Sequence, residues 1–437
     1  MRLEIFDPDN VDHAPKRGTD VSYWSDRQIE MMEQRLRLDG LKGKRVCSDC
    51  FADEHIANFI RENVKGNACD YCASEGEMVA AADLCNVLEF MLPQIDLEYD
   101  CADQALPNDP ETGERMFPED EFDSRELLEA YIELGLPNDY DYELVGDIAE
   151  ALPDQQWCRR DPLAASRHEA IGTSWEAFKQ VIKHRRRFFF LQHEDRDLDR
   201  DLSWGEAAYG IPELLERIVD FTKRFEMIRT LAKGSAFIRA QYMKEGEHGF
   251  DASRMGPPPY AFATMPNRMS PIGVPMFYGA VEASTALAEI ATASGRFALG
   301  TFATTREVVI VDLSGLPDIP SLFDPNLARY RAIAMFMYAF LDDFQKPINR
   351  QVGPHLEYLP TQVITEYFRT IVSEDGKPIE GLAYLSTKDG KAAIVLFAEN
   401  CDVEGGEEVL GEHQPWLRMD GYEEVDHTPP AWRDCKR

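Results

Sequence analysis

The chain is short of positive charge: 46 Lys and Arg stand against 79 Asp and Glu, a formal net charge of −33. At long range such a chain repels nucleic acid and anionic membrane surfaces, so a nucleic-acid partner is not expected without a strong local exception. No run of 18 apolar residues free of charge occurs, which excludes an ordinary membrane-spanning helix. The opening MRLEIFDPDN has no basic flank ahead of an apolar core, so no export signal is expected and the chain is read as cytoplasmic. Cysteine is sparse and odd in number, nine in all, with four of them in two CxxC pairs. That count fits metal binding in a reducing compartment and not a disulfide framework. Internal repeats and low-complexity tracts are absent.

What is present describes a multidomain protein, because 437 residues exceed what one typical core holds. A turn-rich lead over 1–40 carries a charged helical stretch at 26–37. Apolar residues at helical spacing predict further helices at 79–91, 124–134, 175–190 and 211–231, so the first half reads as mostly α. After Gly234 prolines punctuate short segments, and the runs FALGTFATT, EVVIVDLSG, GLAYLST and AAIVLFAEN read as strands. Helices are expected between them at 284–293, 327–344 and 360–371, which makes the second half α+β. The implied division is a helical domain over 41–229, an α+β domain over 230–401 and an acidic tail from 402. A further stretch, 96–154, holds twenty Asp and Glu against Arg115 and Arg125, and reads as a solvated, partly loop-like face.

Cys47-Ser-Asp-Cys50 and Cys69-Asp-Tyr-Cys72 stand eighteen residues apart, a spacing at which two thiolate knuckles close one tetrahedral zinc site. Four thiolates leave no coordination position open, so such a zinc supports the fold and does not catalyse. Cys85, Cys101, Cys158, Cys401 and Cys435 read as unpaired thiols.

Between Lys233 and Arg306 seven Lys and Arg face five acids, a local excess of positive charge suited to an anionic nucleotide. The order of residues here carries more than the charge does. Phe237-Ile238-Arg239-Ala240 is followed by Asn267-Arg268-Met269-Ser270-Pro271-Ile272-Gly273-Val274-Pro275-Met276-Phe277-Tyr278, then by Thr285-Ala286-Leu287-Ala288-Glu289, and finally by Gly381-Leu382-Ala383-Tyr384-Leu385-Ser386. In sequence and order this resembles the RES domain family, named for its Arg, Glu and Ser, over about 160 residues. The first half resembles the helical, HEPN-like domain fused to RES domains.

The resemblance implies an ADP-ribosyltransferase-like fold and an NAD-degrading activity, by phosphorolysis or hydrolysis, often in a toxin or defence setting. It gives Arg239, Glu289 and Ser386 the three naming roles and adds Tyr278, with NAD as substrate, phosphate as a potential acceptor, a homo-oligomer, and a neutralising protein as a partner. Many members read Gly-Arg-Trp-Asn where this chain has Asn267-Arg268-Met269-Ser270, which leaves the contacts of Met269 and Ser270 to be found.

The residue types suit that chemistry on their own terms. Breaking a nicotinamide–ribose bond passes through an oxocarbenium-like state that a carboxylate such as Glu289 stabilises. Arginine grips pyrophosphate through paired hydrogen bonds, which fits Arg239 and, second, Arg268. Ser386 is a donor for a phosphate or ribose hydroxyl, and Tyr278 offers a ring to nicotinamide. Each of these residue types is commonplace when taken singly, and only the ordered set points to a site. Three other readings remain open: macromolecular ADP-ribosylation, a binding protein with a degenerate RES domain, and an RNA-cleaving site formed by the Arg187-x5-His193 pair.

Overall fold

The computed structural model describes residues 35–429, apart from 73, 118–119, 133, 135–140, 161–165, 189–208, 346–353 and 409–412. Most of the helix expected at 26–37, together with His193 and Cys435, lies outside the described residues. The chain divides into two compact units, one formed by residues 1–164 with 320–329 and the other by 165–319 with 330–437.

Among its described residues the first unit is built on two short antiparallel ribbons and three helices of nine residues or more. Strand β1 (Arg45–Cys47) pairs with β2 (Ala81–Asp83), so that Cys47 faces Ala81. Helix α1 (Glu54–Glu62) starts at Asp53, whose carboxylate accepts from the N–H groups of His55 and Ile56 and so satisfies two donors that a helix start leaves unpaired. In α2 (Leu84–Glu98) the residues Leu84, Val87, Leu88, Met91, Leu92 and Ile95 form one buried stripe, as their spacing demands. The ribbon of β3 (Tyr99–Cys101) and β4 (Trp157–Arg159) buries Trp157, whose indole N–H donates to Ser124 Oγ at 3.0 Å. Helix α3 (Asp141–Ala151) adds Leu144, Val145 and Ile148 to the same core. The helix expected over 124–134 is instead one α turn, Ser124–Glu126, followed by a π-helical stretch, Leu127–Ile132.

The second unit is an eight-stranded mixed sheet with the order β14-β8-β6-β7-β13-β12-β9-β5. Its strands are β5 (Ile228–Leu231), β6 (Ala236–Met243), β7 (Phe277–Ala280), β8 (Gly295–Thr304), β9 (Val308–Asp312), β12 (Gly381–Leu385), β13 (Ala392–Leu396) and β14 (Leu417–His427). A separate two-residue hairpin pairs β10 (Ser373–Glu374) with β11 (Lys377–Pro378). Within the large sheet only β9 and β12 run parallel.

Both faces of the sheet centre are buried, which is why these strands read as continuous apolar runs and not as alternating ones. Val309, Val311 and Val395 point to one core, with Val308, Ile310, Ile394 and Leu396 pointing to the other. The first core is closed by α4 (Arg167–His184), α5 (Ile211–Arg224), α7 (Arg331–Gln345) and α8 (Leu359–Thr370), which contribute Trp175, Phe178, Phe221, Phe340, Phe344 and Phe368.

Three sequence expectations change here. Helices α4 and α5, placed before the expected boundary at 229, fall in the second compact unit, where their apolar stripes share one core with the sheet. The helix expected to run on to Leu231 stops at Arg224. Glu226 takes φ +52, and residues Ile228–Leu231 then leave as the edge strand β5, paired with β9. The acidic tail expected from 402 contains β14, paired with β8 along almost its whole length and broken only by a bulge between Met419 and Gly421. An edge strand has one neighbour and one solvated side, so charge along it is compatible with pairing.

A candidate active-site cavity and a four-cysteine cluster

One cavity of the second unit, about 330 Å3, is lined by Arg239, Arg268, Tyr278 and Glu289, together with Asn267, Gly279, Phe344, Tyr358, Tyr384 and Lys388. It opens where the sheet is least regular. Strand β6 follows β8 for eight residues but meets β7 only at Ile238 and Ala280. In the splayed gap the Tyr278 carbonyl takes its hydrogen bond from the Arg239 guanidinium, at 3.1 Å, in place of a ladder N–H. Gly279 allows a close approach here: a Cβ would stand 2.8 Å from the Phe277 ring and 3.3 Å from Phe237 Cβ.

The Arg239 head is enclosed even though the side chain keeps some accessible surface, and burial pulls its pKa down to about 10. It remains charged at neutral pH, yet its Nε has no hydrogen-bond partner. An unsatisfied buried donor on a cation costs free energy that an anionic ligand would recover. Burial also lowers the Arg268 pKa, against the opposing influence of Tyr358, Tyr384, Glu289 and Tyr278. Arg268 donates to the Phe344 carbonyl at the end of α7.

Glu289 sits on α6 (Ala283–Ile290), where Ala286 and Glu289 share the cavity-facing side one turn apart. Its carboxylate makes no hydrogen bond or ion pair to any described residue. Burial pushes the Tyr278 hydroxyl up to about 12, so it stays protonated and donates to Ser270 Oγ at 3.0 Å. Tyr384 is driven well above the usual phenol range, first by burial and then by the nearby Glu289 charge.

Ser386 stands beside the cavity and does not line it. It is buried, and its Oγ accepts from the Lys388 N–H within the turn that follows β12. That turn presents Thr387 and Lys388 to the cavity and is tied to the Glu289 helix twice. The buried Thr285 hydroxyl donates to Asp389 Oδ2 at 2.7 Å, and Lys391 pairs with Glu282 at 2.5 Å.

The contacts of Met269 and Ser270 are resolved as well. Met269 is buried in the helix-side core, and Ser270 anchors the Tyr278 hydroxyl. The loop carrying them is held by α8: the Thr361 hydroxyl donates to the Arg268 carbonyl at 2.6 Å, and Gln362 Nε2 donates to the carbonyls of Asn267 and Ser270 at 2.8 and 3.2 Å. Sequence reading found Arg239, Arg268, Tyr278 and Glu289 but missed Tyr358, Tyr384 and Lys388, and also the anchoring pair Thr361 and Gln362. A Thr-Gln pair in the first turn of an apolar helix was the available signal, since buried polar side chains need partners.

In the first unit Cys47, Cys50, Cys69 and Cys72 converge, with all four sulfurs within 4.8 Å of one another. Cys47 and Cys50 are 3.6 Å apart, Cys50 and Cys69 3.6 Å, and Cys47 and Cys72 3.4 Å. A tetrahedral zinc with Zn–S bonds of about 2.3 Å needs sulfurs roughly 3.8 Å apart, so the donor set has the size and chemistry for a metal ion. Strand β1 brings the knuckles together through Asp70, whose N–H donates to the Arg45 carbonyl and whose carboxylate accepts from the Arg45 N–H. The remaining described cysteines, Cys85, Cys101, Cys158 and Cys401, form no disulfide.

Arg187 is exposed beyond the end of α4, and its presumptive partner in RNA cleavage, His193, lies outside the described residues. No described helix is long and apolar enough to cross a membrane.

Against known proteins, residues 62–196 match the HEPN/RES N-terminal domain 1 and residues 239–419 match the RES domain. No curated protein and no solved structure gives a significant match to the chain. The RES match begins at the cavity arginine and ends inside the edge strand β14, so it covers every cavity residue named above. The chain is a RES-domain protein in which a HEPN/RES N-terminal domain precedes the NAD-acting type of domain.

Proposed function

We propose that the second unit degrades NAD by cleaving the bond between nicotinamide and ribose, on an ADP-ribosyltransferase-like framework. The observation that carries this reading is the Glu289 carboxylate, free of hydrogen bonds to described residues, in one cavity with Arg239 and Arg268. Arg239, with its unpartnered Nε, and Arg268 grip the pyrophosphate. Tyr278, held by Ser270, offers its ring to nicotinamide, while Ser386 shapes the turn that brings Lys388 to the phosphates.

The bond from C1′ to the nicotinamide nitrogen breaks with its electron pair leaving on nicotinamide, which departs neutral. Positive charge then spreads over C1′ and the ring oxygen, and Glu289 stabilises it. An acceptor oxygen attacks C1′: water loses a proton and gives ADP-ribose, whereas phosphate gives the ADP-ribose phosphoester. The four cysteines hold a structural zinc. NAD depletion suits a cytoplasmic toxin or defence effector restrained by a neutralising protein and assembled as a homo-oligomer.

Incubating the full chain with NAD, with and without phosphate, and separating the products tests this reading. Free nicotinamide with ADP-ribose or its phosphoester is expected. Intact NAD under both conditions overturns it, and label appearing on protein moves the acceptor to a macromolecule.

A further inference from the structure

A different cavity of the second unit, about 660 Å3, is lined by Cys401, Asp402, His413 and Trp416, with Arg306, Arg369, Glu380 and Glu399 around them. We propose that Cys401, Asp402 and His413 form a second metal site, open to solvent on one side, for a borderline divalent cation of the zinc and cobalt class. The proposal is independent of the NAD reading, since none of its residues lines the other cavity.

Donor geometry is the first support. One ligand atom from each of the three residues lies within 4.8 Å of the other two, and His413 Nε2 stands 3.0 Å from Asp402 Oδ1. Atoms that share one first-row metal at about 2.0 to 2.3 Å are separated by roughly that amount. An ion pair accounts for the imidazole and the carboxylate, but it leaves the Cys401 sulfur beside them unexplained.

Preorganisation is the second support. Cys401 and Asp402 lie in a one-turn 3-10 helix, Asn400–Asp402, with Glu399 before it. The Glu399 N–H donates to Asp402 Oδ2 at 2.7 Å, which fixes the carboxylate and turns Oδ1 toward the imidazole. His413 arrives on the segment leading into β14, which is held to the same turn from the Trp416 N–H to the Asp402 carbonyl and from the Glu404 N–H to the Leu417 carbonyl, both at 2.8 Å. The ligands therefore come from two stretches that the backbone already clasps, and their approach is set without the metal.

The surrounding charges are the third support. Arg306 holds Glu380 with both nitrogens, at 2.6 and 2.9 Å. Glu399 is taken by the Tyr260 hydroxyl and by Arg369. The neighbouring cations are thus spent on other carboxylates, and Asp402 keeps an oxygen for a cation. Thiolate and imidazole are poor ligands for magnesium or calcium, so the set selects a softer ion. With three protein ligands, the fourth position falls to water from the cavity. A metal here joins the end of β13 to the start of the edge strand β14.

The test uses the full chain with its four-cysteine cluster filled by zinc, dialysed free of loose metal and then titrated with cobalt(II). One cobalt per chain is expected, with visible d–d bands and a near-ultraviolet thiolate-to-cobalt band of single-thiolate strength. Cys401→Ser should remove the thiolate band. His413→Ala should weaken cobalt binding by at least about tenfold, the scale seen when support for a metal ligand is lost. Both side chains reach solvent, so both variants are expected to fold, which melting without added metal verifies. Amide exchange supplies a second readout: cobalt or zinc should protect β14 in the wild type and not in either variant. The proposal is overturned if the zinc-filled chain takes up no cobalt. It also fails if the spectrum is that of several thiolates and is unchanged in Cys401→Ser, because cobalt has then only exchanged into the first cluster.

Discussion

The four-cysteine cluster of the first unit and the arginine-lined cavity of the second are built in opposite ways. The cluster draws all its ligands from 26 consecutive residues, 47–72, and a single two-stranded ribbon closes it. The cavity gathers residues from β6, the loop before β7, β7 itself, α6, α7, the residue before α8, β12 and the turn after it, spread over 151 residues from 238 to 388. A site made of short local loops depends on the bond that closes it, whereas a dispersed site depends on every element that carries a part.

The largest effect should come from breaking the local site. Metal analysis is expected to find about one tightly held zinc per chain. Because structural zinc contributes folding energy outright, strong chelation should lower the melting temperature of the first unit by on the order of 10 °C or more. An unchanged melt in chelator would remove zinc from the account of that unit.

Next comes the charge in the dispersed site. Glu289→Gln keeps the shape of the side chain and deletes its charge, so NAD consumption should fall by about 100 to 1,000-fold while the melt stays where it was. Arg239→Ala removes a clamp used in ground and transition states alike, and should appear chiefly as a higher KM. Wild-type turnover in Glu289→Gln would show the assigned site to be wrong.

A smaller effect is expected from the scaffold that joins the parts. Thr285→Val preserves volume but strips the donor from Asp389 between α6 and the Ser386 turn; Asp389 is exposed and water takes the place of the hydroxyl, so the cost is that of one hydrogen bond, roughly 0.5 to 1.5 kcal/mol. Thermal unfolding should show that loss, and kcat should fall with it. Were stability to drop and kcat to hold, the turn would be structural only.

The smallest effect belongs to His193→Ala, which should leave NAD loss unchanged. An RNA-cleavage assay provides the counter-test, and cutting that depends on His193 would give the first half of the chain a chemistry of its own.

Legibility in the sequence followed the range of the interactions. The strands expected at 297–305, 307–315, 381–387 and 392–400 appear as Gly295–Thr304, Val308–Asp312, Gly381–Leu385 and Ala392–Leu396, because burial on both faces writes itself as an apolar run. The edge strands β5 and β14 were missed for the complementary reason. Ile228–Leu231 continues the apolar spacing of the helix before it, and Leu417–His427 is mostly polar, so each is a strand only because a neighbour offers it a ladder. In the cavity, Arg239, Arg268, Tyr278 and Glu289 were found through their order along the chain. Ser386 was read the same way; it is buried beside the cavity, and its Oγ accepts from the Lys388 N–H inside its own turn.

By itself, then, the sequence determined the four-cysteine donor set, the buried core strands and the identity of the charged groups that meet in the cavity, since spacing, apolar patterning and residue chemistry are properties of the chain alone. Tertiary structure decided the rest. It put α4 and α5 in one core with the sheet, splayed β6 from β7 so that Arg239 reaches the Tyr278 carbonyl, and set Tyr384 near Glu289. Each of these joins residues far apart along the chain, or strands that pair through their backbones, and no local preference specifies such pairings until the core has closed around them.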